Sequence, residues 1–223
     1  MGEKSTLFDK TANDFASSAD RQIDLGRYRR GSLFLSAATQ SVPSGGYILD
    51  YGCGPGRISA LLGRQGFRVL GIDPSPEMIA VAKKQNVEPL PVEFRVFETR
   101  QLETGEAMFD AIVCSSVIEY EARPEELLSR FFAALRPTGV LIISFANSRS
   151  ISRALFQRRN LHLAAQQHTW SWSQFKELLE EGGFSPLRST VYFESFFDRI
   201  APLRFLSAWQ YAGALGLVVA VKK

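Results

Sequence analysis

From about residue 47 onward, short apolar runs rich in β-formers alternate with segments of helical spacing. This rhythm narrows the fold more than any other feature of the chain. "GYILDY" precedes "RISALLGRQG", and "FRVLGID" precedes "PEMIAVAKKQ". "PVEFRVF", "MFDAIVCSS", "EELLSRFFAALR" and "GVLIISFAN" follow. Strands that alternate with helices must be joined by crossovers, and this favours a parallel sheet with helices on its faces. A wholly apolar strand such as "VLIISF" suits a sheet covered on both sides. "SWSQFKELLEEGGF" reads as a further covering helix, with a cap at Ser171 or Ser173, an apolar stripe at Phe175, Leu178 and Leu179, and a glycine stop. "RSTVYFES" and "GLVVAVKK" are late strand-like runs that could finish the sheet. The expected fold class is α/β, doubly wound and mostly parallel.

Composition bears chiefly on what to exclude. A net charge of +3 over 223 residues is mild, whereas nucleic-acid binders concentrate more Lys and Arg on one face; no nucleic-acid partner is expected. Cys53 and Cys114 are the only cysteines, too few for a disulfide framework or a structural zinc site, and no metal is expected. No charged-then-apolar leader opens the sequence, and "YAGALGLVVA" falls short of the roughly 20 residues a bilayer span needs. The expectation is a cytoplasmic protein without a transmembrane segment.

Within "ILDYGCGPGRIS", three glycines and a proline occupy five consecutive positions with Cys53, between a strand-like run and a helix-like one. Gly52, Gly54 and Gly56 would permit a tight turn and close approach of a ligand, and the helix beginning near Arg57 has an N-terminus able to hold an anionic group. In doubly wound sheets, ligands sit beyond the carboxyl ends of the strands. Asp73 ends the next strand, 23 positions after Asp50, where a carboxylate can accept hydrogen bonds from ribose hydroxyls. Two nucleotide-type cofactors fit this much. The nicotinamide fingerprint, however, puts its third glycine at position 57, which is Arg57. An acid two places before the first glycine also suits a ligand amino group better than a pyrophosphate.

At these residues the chain resembles the class I S-adenosylmethionine-dependent methyltransferases. The match is good over roughly 47–145 and looser over 166–184. The resemblance implies a seven-stranded Rossmann-like sheet with one antiparallel strand near the C-terminus. It implies S-adenosyl-L-methionine as cofactor and S-adenosyl-L-homocysteine as product. By the same resemblance, Asp50, Gly52, Cys53, Gly54 and Gly56 form the loop at the methionine part, and Asp73 binds the ribose. Pro74 or Met78 packs on the adenine, and Glu98, with Thr99 beside it, takes the place of the family's adenine-binding Asp. "FDAIVCSSVIEY" is similar to the fourth-strand motif, with Ser115 in the cofactor set and Tyr120 where the family often has His. "LRPTGVLIISFAN" resembles the fifth-strand motif, with Thr138 where a second glycine is common. "HTWSWSQFKELLEEGGF" is similar to the late helix of small-molecule enzymes, quinone-biosynthesis O-methyltransferases among them.

The sulfonium methyl is already activated, so the protein's main task is to align an acceptor against it. A hydroxyl acceptor gains further from a general base. His168, Tyr120 and Glu119 are the candidates, His168 having the best intrinsic pKa; Asn147 could orient the substrate. The expected reaction is methyl transfer to a small-molecule acceptor, first a hydroxyl of a metabolite or of a glycan- or lipid-linked intermediate. The alternatives are an amine acceptor, or a catalytically silent cofactor-binding regulatory partner.

The chain is expected to be one methyltransferase domain over 1–223: a helical lid (1–40), a cofactor-binding core (41–147), a cap insertion (148–170), and a closing helix and strands (171–223). The lid offers Phe8, Phe15 and Tyr28 as contacts, and Arg29, or its neighbours Arg27 and Arg30, toward the cofactor carboxylate. The cap mixes Ile151, Leu155 and Phe156 with Arg149, Arg153, Arg158 and Arg159. It could hold an anionic substrate, touch a membrane surface peripherally, or be a solvated helix face. The aromatic run "VYFESFFDRIAPLRFLSAWQY" could line a pocket, form a dimer face or pack as core. Oligomeric state is left open.

Overall fold

The structure, a computed structural model, describes residues 25–97, 107–150, 168–192 and 215–223. In chain order these contain α1 (Leu25–Ser41), β1 (Tyr47–Tyr51), α2 (Arg57–Arg64), β2 (Arg68–Asp73), α3 (Pro76–Gln85), β3 (Val92–Val96) and β4 (Phe109–Cys114). A 3₁₀ turn (Ile118–Tyr120), α4 (Pro124–Ala134), β5 (Leu135–Ala146), α5 (Trp172–Glu181), β6 (Phe184–Tyr192) and β7 (Leu215–Lys222) follow. The strands form one seven-stranded sheet in the order β3-β2-β1-β4-β5-β7-β6. The pairs from β3 through β5 are parallel, and β7 runs against both β5 and β6. The doubly wound sheet with one reversed strand is therefore as the sequence implied.

The apolar strands are sorted residue by residue to two faces. Leu49, Ile112, Cys114, Leu141, Ile143, Val218 and Ala220 join one cluster, packed with Leu127, Leu128 and Phe131 of α4 and Phe175 and Leu179 of α5. Their neighbours Ile48, Ala111, Val113, Val140, Ile142, Leu217 and Val219 join the other, with Phe34 and Ala38 of α1 and Leu62 of α2. This is period-two alternation under helices on both sides. Each fully buried Leu, Ile or Phe in these layers contributes roughly 1.5–3 kcal/mol.

Three sequence expectations shift. Phe34, Ala37 and Ala38, in the stretch assigned to a lid, are buried against the sheet. The described end of that stretch is a covering helix of the core. The strand expected at "RSTVYFES" begins four residues earlier, at Phe184. It tolerates Pro186 because β6 is an edge strand with a register shift between Pro186 and Arg188. The cap of α5 is Ser171: its hydroxyl accepts from the Gln174 N–H, and Gln174 bonds back to the Ser171 N–H in a capping box.

Candidate functional site

The chain reverses strand order between β1 and β4, and this is where doubly wound sheets open a crevice beyond their carboxyl ends. The glycine loop, Asp73, Ser115 and Asn147 follow or end β1, β2, β4 and β5 there. All three loop glycines have positive φ: 70° at Gly52, 51° at Gly54 and 77° at Gly56. Their reasons differ. A Cβ at Gly52 would lie 2.4 Å from Val117, and one at Gly56 would lie 2.5 Å from the Phe94 ring. A Cβ at Gly54 meets nothing within 4 Å among the described residues. Close approach of a ligand is therefore an argument for Gly54 alone; its two neighbours make room for the protein itself.

The loop spends its own donors. The N–H groups of Gly52 and Cys53 both reach the Ile72 carbonyl, at 2.8 and 2.9 Å, and that of Gly56 reaches Cys53 O. The Gly54 N–H donates to Asp73 Oδ2 at 2.9 Å, while Asp73 Oδ1 accepts from the Ser75 N–H at 2.9 Å. With its N–H groups used internally, this loop is no cradle for a pyrophosphate. Asp73 is half-buried at the rim, its carboxylate oxygens bonded to the Gly54 and Ser75 N–H groups.

Asp50 is 1% exposed beneath the loop and accepts from the Ser59 hydroxyl at 2.6 Å. Gly56 precedes α2 without a side-chain cap, so Asp50 puts its acceptor against the first turn of that helix. Burial pushes its carboxyl up to about 6; the Ser59 bonds oppose this, and the Asp73 charge adds to it. Cys53 is buried in a packing cluster with Ile79, Ala82 and Phe94. Burial holds the thiols of Cys53 and Cys114 well above the usual range, and both stay protonated. Of the two adenine candidates, Pro74 is exposed at the rim directly after Asp73, whereas Met78 is buried within α3, its N–H donating to Ser75 Oγ.

Beyond β4 the backbone turns sharply. Ser116 has φ 56°, a left-handed conformation rare for a residue with a Cβ, and its N–H donates to the fully buried Ser144 hydroxyl of β5 at 2.8 Å. Ser115 Oγ is buried with no hydrogen-bond partner among the described residues. The 3₁₀ turn follows, with Glu119 1% exposed and Tyr120 half-buried. The main chains of His168 and Glu119 meet, the His168 backbone N–H donating to the Glu119 backbone carbonyl at 2.6 Å. The His168 ring is exposed and stacks on Trp170 at 5.7 Å between centroids. Trp170 pairs in turn with the end of β5, its N–H on Ala146 O and its carbonyl accepting from Ser148. Asn147 is buried there, its Oδ1 accepting from the Arg149 N–H.

Several expected residues lie outside the described ones: Glu98, Thr99, Phe8, Phe15 and the cap from 151 to 167. Arg29 and Tyr28 fall in α1, but their side chains are not among those described. Sequence reasoning missed Ser59, Val117, Ser144 and Phe97, whose N–H bonds to Asp73 O beside the rim. Ser144 did leave a signal: it is the one polar side chain in "VLIISFA".

A methyltransferase-domain family profile matches residues 20–189. The chain belongs to that family, of the S-adenosylmethionine-dependent class I type, whose cofactor is S-adenosyl-L-methionine and whose product is S-adenosyl-L-homocysteine. Among its curated relatives is the mitochondrial ubiquinone biosynthesis O-methyltransferase of Homo sapiens, 35% identical over 152 residues, covering 62% of this chain and 41% of that protein. The ubiquinone biosynthesis O-methyltransferase of Xanthomonas axonopodis pv. citri (strain 306) is 33% identical over 115 residues, covering 51% and 48%. The chain spans about half the length of the curated relatives it matches. A solved SAM-dependent methyltransferase from Methanosarcina mazei shares the fold, with a TM-score of 0.65 at 20% identity over 82% of this chain and 95% of its own.

Proposed function

We propose that this chain transfers a methyl group from S-adenosyl-L-methionine to a hydroxyl of a small molecule. The observation that carries the reading is Gly54, the loop glycine whose missing Cβ meets no described residue, set beside the Asp73 carboxylate. The charge pattern fits the cofactor: the loop offers no anion cradle, and two carboxylates, Asp50 and Asp73, stand by a ligand that carries a sulfonium and an amino group. Bound there, the cofactor supplies an activated methyl. The chain's residues bind its ribose (Asp73), leave room for its methionine part (Gly54), and offer Pro74 at the rim for the adenine.

The hydroxyl preference is supported by the curated relatives named as O-methyltransferases at about a third identity. His168 is the base of this reading. It is exposed beside the turn that carries Glu119 and Tyr120, within the same strand-end cluster as Asn147. An aligned base is worth roughly 10²–10⁴-fold in rate. The test is labelled-methyl transfer from S-adenosyl-L-methionine to panels of phenols, sugars and amines. A hydroxyl-bearing product is expected, and His168→Ala should lower turnover by at least tenfold with cofactor affinity unchanged. Methylation confined to the amines would overturn the hydroxyl reading, and full turnover in His168→Ala would remove the histidine from it.

A further inference from the structure

Ser144 is a lone hydroxyl in the buried apolar middle of β5, and it faces a strained neighbour. Among the described residues, only Ser116 and Thr138 hold positive φ without being glycine. Thr138 is exposed at the far end of β5, whereas Ser116 stands at the strand-end crevice. A side-chain-bearing residue does not stay left-handed without a partner that holds it there. The partner is visible: the Ser116 N–H donates to Ser144 Oγ at 2.8 Å, and Ser144 is fully buried.

Two features of the site depend on where this turn lies. Ser115, one residue before, has a buried hydroxyl without a partner among the described residues, a polar group left available to a ligand. Val117, one residue after, fills the space beside Gly52, 2.4 Å from where a Cβ would be. Moving Ser116 out of the left-handed region would redirect Ser115 and lift Val117 from the glycine loop.

We infer that Ser144 is a positioning residue for cofactor binding: by holding Ser116 left-handed, it presents the Ser115 hydroxyl to the cofactor's polar end and seats Val117 against the glycine loop. Ser144 itself touches no ligand; it acts through Ser116. The inference rests on the methyltransferase reading of the site.

The experiment measures S-adenosyl-L-homocysteine binding by calorimetry, and exchange protection of the Ser116 amide by NMR, in the ligand-free protein. It compares wild type, Ser144→Ala, Ser144→Thr, Ser116→Gly and the double variant Ser144→Ala/Ser116→Gly. Ser144→Ala should strip protection from the Ser116 amide and weaken binding roughly five- to tenfold, the loss expected for one buried hydrogen bond. Ser144→Thr, which keeps the hydroxyl, should bind as wild type does. Glycine adopts positive φ without strain, so Ser116→Gly in the Ser144→Ala background should recover most of the affinity. A general packing defect at Ser144 would not be repaired in that way. Wild-type binding with an unchanged dissociation constant in Ser144→Ala overturns the inference, and so does a loss that Ser116→Gly fails to reverse. Absence of binding in wild type defeats instead the cofactor reading on which it rests, while the amide protection still reports whether the latch exists.

Discussion

The three loop glycines can be separated by replacing each with alanine. At Gly54 the added methyl meets no described atom within 4 Å, so the folded protein bears only the cost of a left-handed alanine. That cost is roughly 1–2 kcal/mol, partly offset because alanine loses less chain entropy than glycine on folding. A net of about 1 kcal/mol lowers Tm by roughly 2–4 °C in a chain of this size. At Gly56 the same strain is joined by a methyl 2.5 Å from Phe94, a ring fixed in the packing beneath α3. Overpacking adds about 1–3 kcal/mol, for a total of about 2–5 kcal/mol and a Tm loss of roughly 4–20 °C. Gly52→Ala, against Val117, should behave like Gly56→Ala. Binding should sort the other way: Gly54→Ala stays folded yet loses at least tenfold in affinity for S-adenosyl-L-homocysteine, about 1.4 kcal/mol. Scanning calorimetry gives the stabilities and titration calorimetry the affinities. A Gly54→Ala protein that binds within twofold of wild type would show that the ligand does not pass over this residue. A Gly56→Ala protein as stable as Gly54→Ala would refute the division of roles.

Asp73→Ala should weaken cofactor binding by roughly ten- to a hundredfold and raise exchange at the Gly54 amide, which loses its acceptor; an unchanged dissociation constant would separate Asp73 from the ribose. Thr138→Gly relieves a left-handed threonine on the surface and should add about 0.5–1 kcal/mol, a Tm rise of roughly 1–4 °C by calorimetry. Asp50 titrates near 6 in the folded chain, above its ordinary 3.8. Its protonated form is therefore favoured by folding, and the stability it contributes is full below pH 3.8 and lost as pH rises through about 6. Urea unfolding should show wild type losing roughly 2 kcal/mol relative to Asp50→Asn between pH 4 and pH 7. A difference that stays level across that range would show that burial does not move this carboxyl.

The sheet was readable from the sequence because its central strands, β1, β4, β5 and β7, are largely apolar and buried, and β1 and β2 end at Gly52 and Pro74; Ser75 and Ser171 start α3 and α5 as side-chain caps do. The loop's position and the acid at Asp73 were readable for the same reason, since both sit at strand ends. The division of labour inside the loop was not, because Phe94 and Val117 lie dozens of residues away in sequence and only the folded sheet sets them against Gly56 and Gly52. Cys53 was placed in the loop by the resemblance, which says nothing of where its side chain packs; the folded chain buries it with Ile79 and Ala82. Ser116 carried no local mark of a left-handed backbone, since glycine is the usual signal and serine fills that position here only because Ser144 holds it. Helical spacing alone also does not say whether a face such as that of Phe34 and Ala38, in the stretch assigned to a lid, covers a sheet or a ligand; the fold sets it against the sheet.

The place of β7 between β5 and β6 sets an order on the growing chain. β5 and β6 never pair with each other; β6 finds its strand partner in Leu215–Lys222, and β5, already paired with β4, finds its second partner there. While the ribosome is still adding residues, β5 has β4 on one side and an open row of donors and acceptors on the other, and β6 has no strand beside it at all. The five parallel strands can assemble as they emerge, but the last three become continuous only when the final described strand slides between two that came before it. Such late, sequence-distant pairing is slow to form and leaves an adhesive edge exposed meanwhile. Lys222 then fastens the inserted strand, its Nζ donating to the carbonyls of Phe132 and Leu135 at 2.6 and 2.7 Å where α4 gives way to β5.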